Sequence, residues 1–213
     1  MARRARLSGD ELNPYIGVTD TAMNLLLVML FFVAALTAVG RVSWDDIRYK
    51  DAQEAFRKAV RQLVAQSQRP DINTEKNDPP GTQRWVFKES LLFKPGTAQL
   101  TPNGQLVLDQ FALALKGNAD KWRRIRVEGH TLPTPRGQGD RWEAATDRAA
   151  VVARYLVGRG IQPYFLATAG RGGQNPLPNL PLDSPLHARI EVVLEYAKNA
   201  AKASTGNSIK KQK

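Results

Sequence analysis

Few residues in this chain are placed to do chemistry. Asp20 stands at the head of an uncharged run, Thr21–Val39 (TAMNLLLVMLFFVAALTAV), and Asn24 follows four residues later. In a helix those two share a face. A carboxylate among apolar residues costs about 2.5–3.5 kcal/mol on membrane-insertion scales, and low dielectric disfavours its charged form. Proton uptake and release is therefore the chemistry open to Asp20, while Asn24 can hydrogen-bond across a helix interface. A competing reading puts Asp20 at the water boundary, capping the helix beside Thr19; residue physics alone leaves both open. Cysteine is absent, which removes disulfides, thiol nucleophiles and cysteine zinc sites. His130 and His187 are the only histidines, too few for a histidine-rich metal centre, and His130 reads as a turn-packing residue. No cofactor and no metal are expected. The net charge of +11, from 31 basic and 20 acidic residues, would suit nucleic acid, an anionic membrane or a wall polymer. No stacking-aromatic pattern or helix-turn-helix stands behind a nucleic-acid reading, so no nucleic-acid partner is expected. Lys121, Arg123, Arg124 and Arg126 could attract an anionic polymer, although a solvated strand edge is the plainer account.

The elements that must carry these residues follow from periodicity. The uncharged run, extended to residues 15–40, is long enough to span a bilayer as one helix at about 1.5 Å per residue. MARRAR before it and Val33-Ala34-Ala35 within it also fit a cleaved signal peptide, but the run is longer than the usual apolar region of one, and Asp20 and Asn24 would be odd inside it. Basic residues flank the span on both sides (Arg3, Arg4, Arg6; then Arg41, Arg48, Lys50, Arg57, Lys58), so the positive-inside count does not orient it. Residues 41–66 carry one apolar stripe (Trp44, Ile47, Ala52, Ala55, Phe56, Ala59, Val60, Leu63), which predicts an amphipathic helix packing on a copy of itself or on another subunit, or else lying on the globular domain. Residues 67–83 are polar and proline-rich and read as a linker. Residues 84–196 read as the folded unit: strands in RWVFKESLLF, RRIRVEGH, YFLATAG and ARIEVVLEY, and helices in TPNGQLVLDQFALAL and DRWEAATDRAAVVARYLVGRG. The order β-α-β-α-β-β predicts an α+β domain with helices on one face of a small mixed sheet. Residues 1–14 precede the span, and 197–213 form a lysine-rich tail expected to be disordered.

Within that unit, FKPGTAQLTPNGQLVLDQFA (Phe93–Ala112) resembles the opening strand-turn-helix of OmpA-like peptidoglycan-binding domains. VEGHT (Val127–Thr131), RWEAATDRA (Arg141–Ala149), the Tyr155-Leu156 pair, GRGGQNP (Gly170–Pro176) and ARIEV (Ala188–Val192) follow in the family's order. The resemblance implies a grip on the diaminopimelate of the peptidoglycan stem peptide. An aspartate after the GHT turn would receive the ammonium, and an arginine on the next helix would clamp a carboxylate, which the planar guanidinium fork suits. Arg148 falls on the arginine position and Thr131 on the turn. Arg141 falls where the family usually has asparagine, and Ala144 where it has leucine. Leu132 stands in place of the aspartate, so half of the two-point grip is missing; Asp140 or Asp147 are possible substitutes. Arg189 is expected to support the fold rather than touch ligand.

The membrane run adds a second resemblance. YIGVTDTAMNLLLVMLFF is similar to the membrane helix of ion-driven stator B subunits, the group of flagellar MotB with ExbD and TolR as cousins and ZorB of the Zorya anti-phage system. There an aspartate just inside the membrane carries the ion, and Asp20 occupies that position. The resemblance implies a non-enzymatic, single-pass inner-membrane subunit with a cytoplasmic N-terminus and a periplasmic wall-binding domain. It further implies a homodimer inside a ring of polytopic A-type (MotA/ZorA-like) subunits, driven by protons. Thr19 before Asp20 and Asn24-Leu25-Leu26-Leu27 after it depart from flagellar wording, which favours the Zorya type; a flagellar stator subunit and a passive envelope tether are the alternatives.

Overall fold

Helix α1 runs over Pro14–Leu63. The computed structural model describes the backbone of residues 14–134 and 141–197, and their side chains apart from 14–16 and 39–48. Asp140, residues 1–13 and the tail from residue 198 onwards fall outside that description. The chain divides into two compact units, at Trp44/Asp45. In the first, Gly17–Ala38 is 22 residues of mean hydropathy 2.2 with none of it buried. Met23, Leu27, Phe31 and Leu36 are all exposed. A helix of this length that is apolar on nearly every side is suited to a lipid environment rather than to a protein core.

The second unit is built on a five-stranded sheet of order β1-β2-β5-β3-β4, with β1 Asp71–Asn73, β2 Thr82–Lys88, β3 Trp122–His130, β4 Leu166–Gly172 and β5 Arg189–Tyr196. Neighbours are antiparallel except β3 and β4, and that parallel pair is joined through helix α4 (Trp142–Gly158) as a crossover requires. Helices α2 (Glu89–Leu92) and α3 (Pro102–Gly117) lie between β2 and β3. From β2 onward the order is the expected β-α-β-α-β-β, with a mixed sheet and its helices on one face. RWVFKESLLF, however, leaves the sheet at Lys88 and turns into α2. β3 lies inside the sheet, between β5 and β4, so its basic residues do not form a strand edge.

Alternation along the strands sorts the two faces. Trp85, Phe87, Trp122, Ile125, Val127, Ile190, Val192, Leu194 and Tyr196 join the apolar core beneath the helices. Helix α3 starts on Thr101, whose Oγ1 accepts from Gly104 N at 2.9 Å, with Pro102 in the first turn where its missing N–H costs nothing. It buries Val107, Leu108, Phe111, Ala114 and Leu115; Leu106 and Leu113 point outward.

Two boundaries differ from the sequence reading. The amphipathic stripe lies on the globular domain, the second of its two readings, rather than being left to dimerise: Ala52, Phe56 and Val60 are buried in the same core together with Tyr49 and Val64, while Leu63 is exposed. The Phe56 ring meets Trp85 edge-on at 5.3 Å and Phe111 at 5.5 Å. Burying one such aromatic contributes about 1.5–3 kcal/mol, so the domain itself supplies the partner that the stripe needs. The expected linker is also folded. It contributes β1 to the sheet, and Gly81, at φ +81°, turns so closely over the Tyr49 ring that a Cβ would lie 2.9 Å from it. The folded unit therefore begins near residue 45, well before residue 84.

Candidate functional site

Arg141 is the N-cap residue before α4, and Ala144 and Arg148, four residues apart within the helix, share a face of it. Arg141 is exposed and Ala144 half-buried, while the Arg148 side chain is only 11% exposed. Arg148 donates from Nε to the Thr97 carbonyl at 3.2 Å, and its Nη2 lies 2.8 Å from Oε1 of Glu89. Both partners are well held. Glu89 opens α2 and donates its backbone N–H to Ala188 O; Thr97 sits in a turn closed by Lys94 N to Gln99 O at 2.9 Å. Asp147 is exposed and, one residue from Arg148, faces another side of the helix.

Thr131 follows β3, which runs beside α4. The approach is close because Gly129 has no side chain: a Cβ there would collide with the Ala145 carbonyl oxygen. Thr131 donates its backbone N–H to Gly172 O at 2.9 Å, and its Oγ1 is buried without a hydrogen-bond partner. Leu132 follows, half-buried. The structure thus places Ala144 and Arg148 on α4 and Arg141 at its N-cap, with Thr131 just past the end of the strand that α4 packs against. Among the described residues no hydrogen bond or ion pair joins Thr131 to Arg148. Asp20 and Asn24 belong to the other unit, both exposed on α1.

The far face of the sheet carries a second constellation. Arg84, 2% exposed, is held by both Asp78 oxygens at 2.7 Å, by Glu191 at 2.8 Å, Glu75 at 3.0 Å and Glu128 at 3.1 Å. Glu128 also takes Arg126 and Arg171 at 3.2 Å. Arg189 donates to Glu191 at 2.7 Å and to the carbonyls of His187 and Asn175 at 3.1 Å, the supporting role expected of it. Glu75 and Asp78 come from the segment read as a linker. Burial opposes the charge on Arg84, and Asp78, Glu128 and Glu191 outweigh it, keeping the guanidinium charged well above its usual range. Burial likewise opposes ionisation of Glu128, but Arg126, Arg84 and Arg171 hold its pKa down to about 2. An open groove of about 620 Å³ lies over this network, lined among others by Arg84, Arg126, Arg171, Trp142 and Asn175. The basic cluster read on β3 belongs in part here: Arg123 and Arg126 pair with Glu195.

Glu128, His130 and Glu191 bring ligand-type atoms within 4.8 Å of one another, all buried. His130 is 1% exposed, and both its ring nitrogens lack hydrogen bonds. Burial, then the nearby Arg189 charge, depresses its pKa to about 4. Those types could ligate a metal, but guanidiniums already occupy both carboxylates, so a divalent cation would enter a place with no negative charge to spare. The trio is the floor of an ion-pair network. The periodic signal for it was present in RRIRVEGH and ARIEVVLEY, where charged residues alternate with apolar ones in both strands.

Residues 92–180 match the OmpA family model. By fold, the chain is similar to a MotB-like protein from Desulfovibrio vulgaris, with TM-score 0.60 and 22% identity over 72% of this chain and 99% of that one. In sequence it is 32% identical over 99 residues to the peptidoglycan-binding protein ArfA of Mycobacterium tuberculosis, covering 46% of this chain and 29% of ArfA. It is 26% identical over 165 residues to the protein YtxE of Bacillus subtilis, covering 74% of this chain and 66% of YtxE. The chain thus spans just under two thirds of YtxE and less than a third of ArfA. The OmpA-family match takes in Thr131, Arg141, Ala144 and Arg148, and begins three residues after Glu89.

Proposed function

We propose that the chain is the B-type subunit of a proton-driven rotary stator. It is a single-pass inner-membrane protein with a cytoplasmic N-terminus, working as a homodimer inside a ring of polytopic A-type (MotA/ZorA-like) subunits. Its OmpA-family domain holds the assembly to peptidoglycan on the periplasmic side. The observation that carries this reading is the union, on one chain, of a membrane-length apolar helix bearing Asp20 near its start with a domain of MotB-type fold. Asp20 and Asn24 share one face of that helix, the face offered to a partner's helices. Proton binding at Asp20 would change the preference of those helices between two arrangements, the differential affinity needed to drive a step. The similarity to ArfA, a peptidoglycan-binding protein, supports the wall-holding half, with Thr131, Arg141, Ala144 and Arg148 as its contacts. The sequence around Asp20 favours the Zorya anti-phage type over the flagellar type.

Co-expression of the full chain with an A-type polytopic protein encoded beside it tests the motor. Asp20→Asn is expected to abolish proton flux and activity while co-purification with the A-type protein persists. Retained activity would leave the passive tether, which the confinement of the family match to the C-terminal unit also suits. For the wall, Arg148→Ala should weaken sedimentation of the full chain with purified peptidoglycan sacculi; equal retention would remove Arg148 from the site.

A further inference from the structure

The groove over the far face of the sheet, about 620 Å³, falls within the roughly 300–1,000 Å³ of small-molecule sites. Its walls include Asn77 from the turn between β1 and β2, Arg126 and Arg171 from the neighbouring strands β3 and β4, and Trp142, the first residue of α4. The charges beneath it cancel. Ion pairs join five arginines to five acids in one connected set, and His130, its pKa held down to about 4, adds no charge at neutral pH. A free guanidinium selects carboxylates and phosphates. One already neutralised does not, because an added anion would have to compete with the acids that hold it.

What the groove offers instead is hydrogen bonding without net charge. Arg171 uses Nε on Glu128, and Arg126 uses Nε on Glu128 and Nη1 on Glu195. Among the described residues, both Nη groups of Arg171, Nη2 of Arg126, the Asn77 amide and the Trp142 indole N–H make no hydrogen bond. Glu128, 1% exposed, pins both guanidiniums, so these donors are fixed before anything binds. Trp142 is 48% exposed, an apolar ring kept in water beside them. A ring face next to pre-aimed donors matches a pyranose: its C–H face packs on the indole, and its hydroxyls, which both accept and donate, meet the N–H groups. We propose that this groove binds an uncharged saccharide, with Trp142 as the platform and Arg126, Arg171 and Asn77 as the hydroxyl-binding groups. The site shares no residue with Thr131, Arg141, Ala144 and Arg148, and it stands or falls apart from the wall-binding reading.

The test titrates the full chain calorimetrically, in a detergent without a sugar headgroup, with chitotriose, cellotriose and trigalacturonic acid. The first two are uncharged and differ in their acetamido groups; the third is anionic. Wild type should bind chitotriose or cellotriose saturably, with Kd about 1 mM or tighter, and the better of the two names the class as N-acetylated or plain. Trigalacturonic acid should bind at least about tenfold more weakly. Trp142→Ala should lose about tenfold on the neutral sugar. Asn77→Ala, exposed and with no hydrogen bond among the described residues to lose, should lose about threefold, and it carries the test alone if Trp142→Ala does not fold. Tyr164→Ala, which removes an exposed aromatic from another element, should bind as wild type does. No saturable binding of either neutral trisaccharide overturns the proposal. So does equal binding by wild type, Trp142→Ala and Asn77→Ala, which would put the sugar elsewhere. Binding of the acid as tight as that of the neutral sugars overturns it too, by making the groove an anion site.

Discussion

The two faces of the sheet are both dry, and they are dry for different reasons. Beneath the helices, Phe56, Phe87, Leu108, Phe111, Ile125 and Val192 fill space, and their contribution scales with the area removed from water, indifferent to pH. On the far face, Arg84, Glu128, Glu191 and Arg189 are as deeply buried, but each tolerates burial only because another charge is aligned with it. The first face asks for the right volume. The second asks for a complete set of partners, some of them delivered by a segment far away in sequence.

Removing one member from each face gives the sharpest contrast. Arg84→Met should destabilise the full chain by about 3–5 kcal/mol, because Asp78 loses the guanidinium that both its oxygens hold and Glu75, Glu128 and Glu191 each lose a partner, and the loss should shrink as pH falls from 4.5 towards 2 and Glu128 takes up a proton. Phe111→Ala should cost a similar ~3–5 kcal/mol with no such recovery. Denaturant unfolding at neutral pH and below pH 4.5 measures both, and parallel pH profiles would erase the distinction. Gly129→Ala comes next, at about 1–3 kcal/mol, because α4 must move off β3 to admit the methyl group.

Wild-type stability should itself fall with acid in two overlapping stages. His130 has its folded pKa depressed from 6.5 to about 4, so its contribution is complete above pH 6.5 and is lost as pH drops towards 4. Glu128, depressed from 4.5 to about 2, contributes fully above pH 4.5 and loses it towards pH 2. His130→Gln should remove the upper stage and keep the lower. Smallest of all, Leu113→Ala on the outward side of α3 should stay within about 0.5 kcal/mol of wild type.

The apolar face was legible from local patterns: Ile125 and Val127 alternate as a strand should, and Thr101-Pro102 marks the start of α3. Which leucines of α3 turn inward was not legible: Leu106 and Leu113 are exposed while Leu108 and Leu115 are buried, and only packing decides between them. SQRPDINTEKNDPPGT was misread as a linker. Polarity in a single segment looks like a preference for water, whereas Glu75 and Asp78 are answered by Arg84 on a strand that the local pattern cannot see. At the candidate site, Thr131, Arg141, Ala144 and Arg148 were marked by family resemblance. Glu89 was invisible, being read as a strand residue, because its meaning lies in a helix much later in the chain. Asp20 was legible from one thing alone, a charge where the surrounding residues forbid one.

The segment from Tyr49 to Gly81 has a practical side for anyone cutting this gene. A fragment started at residue 84, where hydrophobic patterning would place the cut, leaves Trp85 and Phe111 without the ring of Phe56 and strips Arg84 of two of its four acids. It should come out of cells sticky and prone to precipitate. Starting at residue 45 keeps the missing side walls, and that shorter, anchorless protein is the one to take into crystallisation drops or a spectrometer tube.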